Sequence, residues 1–360
     1  MHSDPSVGKS RARDPGRRKS SRSTTKTINL ALQGGGAHGA FTWGVLDRFL
    51  EDDRIDVEAI TATSAGAMNA VVAGSGFAIG GREGARKNLT AFWRRISDAA
   101  CSGPLQPSMV DRFLGNHALT CSPAFVMFDV FSRLFSPYQF NPLNYNPLRT
   151  ILEETVDFER LRSPSCPVKL FLSATNVRTG KIKVFSNDEL SADAAMASGC
   201  LPFVFHAVEI AGEHYWDGGY MGNPAIFPII YNCKSADVVV IHINPLERAE
   251  VPTTATDILN RINEISFSSS LMREMRAISF VTRLIDEGAL SQSKARRILI
   301  HAIEASGVMS GLGVASKLNA DWDFLCHLRQ TGRGAAGDWL EANFDRLNVE
   351  SSIDIRARYL

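Results

Sequence analysis

A serine and an aspartate, each followed by small residues, are the first candidates for chemistry in this sequence. Ser64 stands in the segment ATSAGA (62–67), and Asp217 stands in WDGG (216–219). A serine hydroxyl becomes a strong nucleophile only when a base removes its proton, and that base need not be a histidine. The pair therefore fits a nucleophile and its base. Read alone, Ser64 is slightly better explained as a helix cap, and Asp217-Gly218 is more commonly a turn.

A run of glycines supplies the third candidate feature. The segment GGGAHG (34–39) contains GxGxxG as Gly34, Gly36 and Gly39. As a dinucleotide-binding loop it lacks the acidic residue expected at the end of the next strand, where Thr63 and Ser64 stand. Consecutive glycines before a helix can instead direct backbone N–H groups at a negatively charged oxygen. We therefore interpret the run as an oxyanion hole.

Hydrophobic patterning indicates the elements that would position these residues. Strand-like runs at 28–32 and 57–62 each lead through a short turn into a helical pattern, at 39–50 and 65–73. This repeat is typical of a parallel α/β sheet. Further strands are predicted at 169–174, 181–185, 208–210, 214–216, 237–244 and 297–303, and further helices at 83–99, 192–197, 258–285 and 316–347, the last broken at 332–337. We expect an α/β fold with a mainly parallel central sheet between helices, in three layers, and extra C-terminal helices.

Composition excludes several classes of protein. The 360 residues are 44% hydrophobic and 21% charged with a net charge of +1, so the chain is globular and no nucleic-acid partner is expected. We find no secretory signal and no apolar run of about 18 residues. Six cysteines without CxxC spacing indicate reduced thiols. We expect a cytoplasmic protein that uses no metal and no cofactor; its oligomeric state is not predicted.

The first 26 residues differ from the rest of the chain. They carry eight basic and two acidic groups and almost no apolar residues. Such a segment cannot offset the entropy of ordering by burial, so we predict a disordered basic tail at 1–26. It either stays solvated or contacts the inner face of an anionic membrane as a peripheral anchor. One α/β hydrolase domain is predicted at 27–305, with a helical extension at 306–360 packed on it.

Taken together, these segments resemble the patatin-like phospholipase family. QGGGAHGAF (33–41) resembles its oxyanion loop, TSAGA (63–67) its nucleophile elbow, DGG (217–219) its Asp-Gly-Gly motif, and ASGCLP (197–202) another recurrent stretch. The resemblance covers about residues 27–245. It implies a serine-dependent lipid acyl ester hydrolase that attacks an acyl lipid or phospholipid with Ser64 as nucleophile and Asp217 as general base. The implied oxyanion-hole residues are Gly34, Gly35, Gly36, Gly39 and Ala65, and the implied supporting residues are Gly66, Gly218 and Gly219.

Two departures from the family pattern keep a second function open. Ala62 replaces the usual elbow glycine, and we expect small local strain there. His38 stands where many members carry arginine, so a fixed positive charge becomes a titratable one. The alternative function is a lipid-binding or regulatory module that is catalytically weak or inactive.

Four histidines bear on a Ser–His–Asp triad as the alternative to the dyad. His242 and His301 follow Asp217 in the chain, but each lies in an apolar strand-like run and is predicted to be a core or strand-end residue. His242 is retained as the triad alternative. His206 and His214 precede Asp217 closely and could lie near the site.

An aromatic segment at 121–140 has two interpretations. Phe128, Phe131 and Phe135 fall on one face of a helix, which is typical of a core stripe. A lipid hydrolase also needs an apolar lid or a wall for the acyl chain near its entrance. Both interpretations remain open from the sequence.

Overall fold

A mixed, mainly parallel sheet forms the centre of the protein. The structure is a computed structural model that describes residues 25–101, 127, 131–132, 134–248, 250–291, 295–309, 311–313 and 315–360. Within these residues the strands are β1 (Lys26–Leu32), β2 (Ile55–Ala62), β3 (Lys169–Asn176), β4 (Ile182–Ser186), β5 (Val208–Ile210), β6 (Glu213–Asp217), β7 (Asp237–Ile241) and β8 (Leu299–Ile303). Their order is β5-β6-β3-β2-β1-β7-β8, and β4 pairs with β3. Strands β1, β2, β3, β7 and β8 run parallel, which confirms the predicted fold class.

Helices cover both faces of this sheet. In the described residues they are α1 (Gly39–Glu51), α2 (Ala65–Cys101), α3 (Pro137–Phe140), α4 (Pro147–Thr155), α5 (Phe158–Arg162), α6 (Ala192–Ser198), α7 (Phe227–Asn232), α8 (Ala255–Asp286), α9 (Ser306–Met309), α10 (Trp322–Asn343) and α11 (Ile355–Tyr359). The helices predicted at 65–73 and 83–99 join across a kink at Gly80 and Gly81. None of these helices is both long and apolar enough to cross a bilayer.

Alternating residues of the strands divide the core between the two faces. Ile28, Leu30 and Leu32 of β1 pack with residues of α1, α2 and α10, whereas Ala31 packs with residues of α7, α8 and α11. Because successive side chains of a strand point to opposite faces, one buried strand serves both layers. The arrangement is the predicted sheet between two helical layers.

Helix α10 is continuous, and the predicted break at 332–337 is wrong. Gly332 lies against the backbone of Phe41 in α1, and Gly44 of α1 lies against the backbone of Arg329, so a side chain at either glycine would collide. These glycines permit close approach of two helices and do not end a helix. Buried Asp47 of α1 also pairs with Arg329 and Arg333 of α10.

The start of β1 corrects the predicted boundary of the basic tail. Lys26 is the first residue of β1, and its Nζ donates to the carbonyl of Leu347 at 2.8 Å. The predicted disorder of residues 1–24 lies outside the described residues.

Candidate active site

Ser64 occupies a strained turn between β2 and α2. Its φ is 56°, in the left-handed region that residues with side chains rarely adopt. A side chain on Gly66 would contact the backbone of Leu32 at 2.5 Å, which explains the need for glycine where the helix leaves the strand. The strain expected at Ala62 is not observed there, since Ala62 pairs in register with both Leu32 and Leu172. The strained residue is the serine itself, and a strained serine between a strand and a helix is typical of nucleophile elbows.

The topology of β3 brings Asp217 to the same edge of the sheet. Ala62, the last residue of β2, pairs with Leu172 of β3, which continues beyond that point. Strand β6 pairs antiparallel with this extension and ends with Asp217 opposite Ala174. Ser64 lies two positions beyond Ala62, and the partner of Asp217 on β3 lies two positions beyond the partner of Ala62. The two candidate residues therefore come together.

The Asp-Gly-Gly motif is fixed by close contacts on both glycines. A side chain on Gly218 would collide with the carbonyl of Ser173 in β3, and one on Gly219 would collide with the ring of Phe267 in α8. The Asp217 backbone N–H donates to the Cys200 carbonyl at 2.8 Å, and the Asp217 carbonyl accepts from Thr175 at 2.9 Å. These contacts hold the aspartate in one place.

The carboxyl group of Asp217 is fully buried. Its Oδ1 accepts from the Gly219 N–H at 2.7 Å, and Oδ2 has no partner with hydrogen-bond geometry among the described residues. Burial raises the pKa of Asp217 to about 6, although Gly219, the nearby Ser64 hydroxyl and the Lys317 ammonium act in the opposite direction. Asp217 is therefore more basic than an exposed aspartate, and its Oδ2 is available to accept a proton.

The glycine-rich loop packs directly against the serine turn. A side chain on Gly34 would contact the Ser64 Cβ at 2.6 Å, and one on Gly39 would contact the Ala65 Cβ at 2.8 Å. The Gly34 N–H donates to Asn223 Oδ1 at 2.7 Å, and the Gly39 N–H closes the preceding turn. Of the five residues predicted for the oxyanion hole, these two use their N–H groups to hold the fold.

The other three predicted donors are Gly35, Gly36 and Ala65. Within the described part of the chain, their N–H groups have no hydrogen-bond acceptor outside the helices. Gly36 has a φ of +60° and is exposed, whereas Gly35 is half-buried. An unpaired backbone N–H beside a nucleophile is the feature that an oxyanion requires.

Four polar residues that support the site had not been identified from the sequence. Gln33 Oε1 accepts the N–H groups of Ile243 and Asn244 at 2.9 and 3.1 Å, and Asn244 Nδ2 donates to the Gly34 carbonyl at 2.7 Å. The remaining two are Asn223, already described, and Ser198, whose Oγ accepts the Ser64 N–H at 3.0 Å. Gln33 and Ser198 belong to the segments QGGGAHGAF and ASGCLP, whereas Asn223 and Asn244 belong to no segment that the sequence singled out.

His38 is neutral in this structure. Burial, together with Lys317 and Arg248, lowers its pKa to about 3. Its Nε2 lies 2.8 Å from Ser316 Oγ, which itself donates to the Gly313 carbonyl at 2.8 Å, so the ring nitrogen is the donor. The position that carries arginine in many relatives thus adds no charge to the loop here.

The four other histidines contact neither Ser64 nor Asp217. His242 Nε2 lies 2.7 Å from the Tyr359 hydroxyl, and burial lowers the pKa of His242 to about 3. His301 Nε2 lies 2.9 Å from Asp237, as expected for a buried strand histidine. His206 stacks on Tyr138 and His214 lies near Glu209. These contacts therefore favour the dyad over the triad.

The aromatic segment is described only in part. Phe131 and Phe135 stack at 5.3 Å and are exposed, so a core position does not hold for these two. Phe125 and Phe128 lie outside the described residues.

Comparison with known proteins places the same segments in one family. The sequence model of the patatin-like phospholipase family matches residues 30–230. Similar solved structures include VipD from Legionella pneumophila, at 14% identity and a TM-score of 0.40, with 92% of this chain and 72% of that chain covered. They also include ExoU in complex with SpcU from the type III secretion system of Pseudomonas aeruginosa, at 16% identity and a TM-score of 0.40, with 91% and 53% covered. No curated protein matches the sequence.

Proposed function

The chain belongs to the patatin-like phospholipase family, and we propose that it hydrolyses acyl esters of lipids with Ser64 as nucleophile and Asp217 as general base. The observation that carries the proposal is the buried Asp217 carboxyl beside Ser64, with one oxygen lacking a hydrogen-bond partner among the described residues. A buried acceptor left without a donor costs stability, and a role in proton transfer accounts for its presence.

In the first half of the reaction, Asp217 takes the proton of the Ser64 hydroxyl while Oγ bonds to the ester carbonyl carbon. The carbonyl electron pair moves to oxygen, and the N–H groups of Gly35, Gly36 and Ala65 stabilise that oxyanion. When the carbonyl re-forms, the bond to the alcohol breaks and the alcohol leaves with the proton held by Asp217. The products of this half are the free alcohol and an acyl ester on Ser64.

In the second half, water replaces the alcohol. Asp217 removes a proton from the water, whose oxygen attacks the acyl carbon and gives a second oxyanion at the same N–H groups. Collapse of this intermediate breaks the bond to Ser64 Oγ, which recovers its proton from Asp217. The fatty acid leaves, and both side chains return to their starting states.

The basicity of Asp217 suits the role of general base at neutral pH. A pKa of about 6 makes the carboxylate a stronger base than an exposed aspartate of pKa 3.8. At pH 7 about nine-tenths of the groups remain ionised and able to accept the proton. Burial thus increases base strength without removing the reactive form.

A serine-directed fluorophosphonate probe tests the proposal. Mass mapping is expected to find the label on Ser64, and Ser64→Ala is expected to lose about 10³-fold or more in kcat on a p-nitrophenyl ester. Ser165→Ala is the matched control, because Ser165 is exposed in the connection before β3, at the opposite edge of the sheet. Wild-type protein that binds lipid vesicles yet neither takes the label nor turns over the ester would favour the inactive lipid-binding module.

A further inference from the structure

The short 3-10 turn Ala315–Leu318 of the C-terminal part brings a lysine to the glycine-rich loop. Lys317 Nζ donates to Asn244 Oδ1 at 2.7 Å, and Asn244 in turn holds the Gly34 carbonyl. The Lys317 carbonyl lies against Gly36, so closely that any side chain at position 36 would collide with it. Lys317 therefore belongs to the wall of the site, although it is far from the motifs in sequence.

Lys317 is half-buried, and within the described residues no carboxylate forms an ion pair with its ammonium. Among these residues the ammonium donates to one amide oxygen, whereas an ammonium carries three donors. A partly desolvated charge is stabilised when an anion accompanies it. The unused donors point to a ligand that arrives from outside the chain.

Glu264, whose charge acts on Lys317, pairs directly with other cations. Buried Glu264 pairs with Arg248 at 2.6 Å and with Arg261 at 3.2 Å. Lys317 therefore shares the charge of this glutamate with two arginines.

Lys317 also lies within electrostatic reach of the reacting groups. Its charge lowers the pKa of Asp217 and that of His38. Burial and Arg248 lower the pKa of Lys317 itself, while Glu264 and Asp217 act against them. Gly36, which lies against the Lys317 carbonyl, is exposed to solvent.

We propose that Lys317 binds the phosphate group of the lipid substrate and is a specificity-determining residue for phospholipids over uncharged acyl esters. A phosphate oxygen would occupy the donors that Asn244 leaves unused. A phosphate diester carries a negative charge, and a lysine ammonium is a common partner for it. This inference rests on the proposed lipid hydrolysis at Ser64.

The experiment compares two substrates that share one acyl chain, lysophosphatidylglycerol and monoacylglycerol. Lys317→Met is expected to lower kcat/KM for the phosphate-bearing substrate about 10- to 100-fold more than it lowers kcat/KM for monoacylglycerol. Lys317→Arg is expected to recover part of the loss. Lys169→Met is the matched control, because Lys169 is exposed at the opposite edge of the sheet.

Equal losses on both substrates would overturn the inference, because they would show that Lys317 only holds Asn244 and the loop in place. Binding provides a second readout that needs no turnover. With Ser64→Ala as the background, adding Lys317→Met is expected to weaken lysophosphatidylglycerol binding about tenfold in calorimetry and to leave monoacylglycerol binding unchanged. Unchanged phosphate-lipid binding would also overturn the inference. If wild-type protein hydrolyses neither substrate, the proposed hydrolysis fails, and the binding measurement still decides the role of Lys317.

Discussion

Replacement of Asp217 by asparagine is expected to stabilise the protein at neutral and alkaline pH. The pKa of Asp217 is about 6 in the folded protein against 3.8 for an unperturbed aspartate, so the folded state holds the proton more tightly. Wild-type stability should therefore fall as the pH rises through this window. The difference of about two pKa units corresponds to about 3 kcal/mol of unfolding free energy. Asparagine stays neutral, and its Oδ1 can still accept the Gly219 N–H.

Urea unfolding at pH values from 4 to 8 measures this effect. Near pH 4 the free energies of unfolding of wild type and Asp217→Asn should be similar. By pH 8 the variant should be more stable by about 3 kcal/mol, the whole difference arising between pH 4 and 7. The same variant should fail to take the fluorophosphonate label, because an amide cannot act as the base.

Asp47→Asn serves as a control, because its expected effect on the free energy of unfolding has the opposite sign. Bonds from Arg86, Arg329 and Arg333 lower the pKa of Asp47 despite its burial. The ionised carboxylate thus adds to the free energy of unfolding at pH values above the pKa of Asp47 in the unfolded chain. This contribution is lost as the pH falls through the lower pKa of Asp47 in the folded protein. Asp47→Asn should be less stable than wild type at pH 7, with the deficit shrinking in acid. A stability difference for Asp217→Asn that does not change with pH would refute the reasoning about its burial.

Four further outcomes are expected. The kcat/KM of wild type on a soluble ester should rise with pH around a midpoint near 6, the pKa of Asp217, and a midpoint near 4 would contradict it. His242→Gln should keep activity within a few-fold after correction for folded protein; an inactive, folded variant would restore the triad. Gly36→Ala should lower kcat at least about tenfold through collision with Lys317, whereas Gly180→Ala, with the same left-handed φ but open space, should affect only stability. Deletion of residues 1–24 should leave soluble-ester hydrolysis unchanged, and a loss confined to anionic vesicles would identify the tail as a membrane anchor.

Much of the sheet could be predicted, and two candidate side chains selected, because their signals are local. The strands predicted at 28–32, 57–62 and 169–174 each lie within observed strands, since apolar runs bounded by turn residues need no distant information. Ser64 and Asp217 stand in short motifs at strand ends. Their roles, and the domain boundary predicted at residue 305, stay predictions.

The features that sequence reasoning missed depend on contacts between distant parts of the chain. Asn244 and Lys317 belong to no motif, and their importance comes from what they touch in the glycine-rich loop. The incorrect prediction of a helix break has the same origin. Gly332 has a low helix propensity, but in the fold it provides a surface that contacts α1. Local preference could not distinguish these cases.

The support of the glycine-rich loop by the turn at Ala315–Leu318 has a consequence for synthesis of the chain. Ser316 follows its partner His38 by 278 positions. A ribosome that adds roughly 5 to 20 residues per second makes the second partner about 15 to 55 s after the first. During that interval the nascent chain carries Ser64 and later Asp217, but the loop beside them lacks the contacts of Ser316 and Lys317. The contacts that support this loop are therefore complete only after the turn at Ala315–Leu318 has been synthesised.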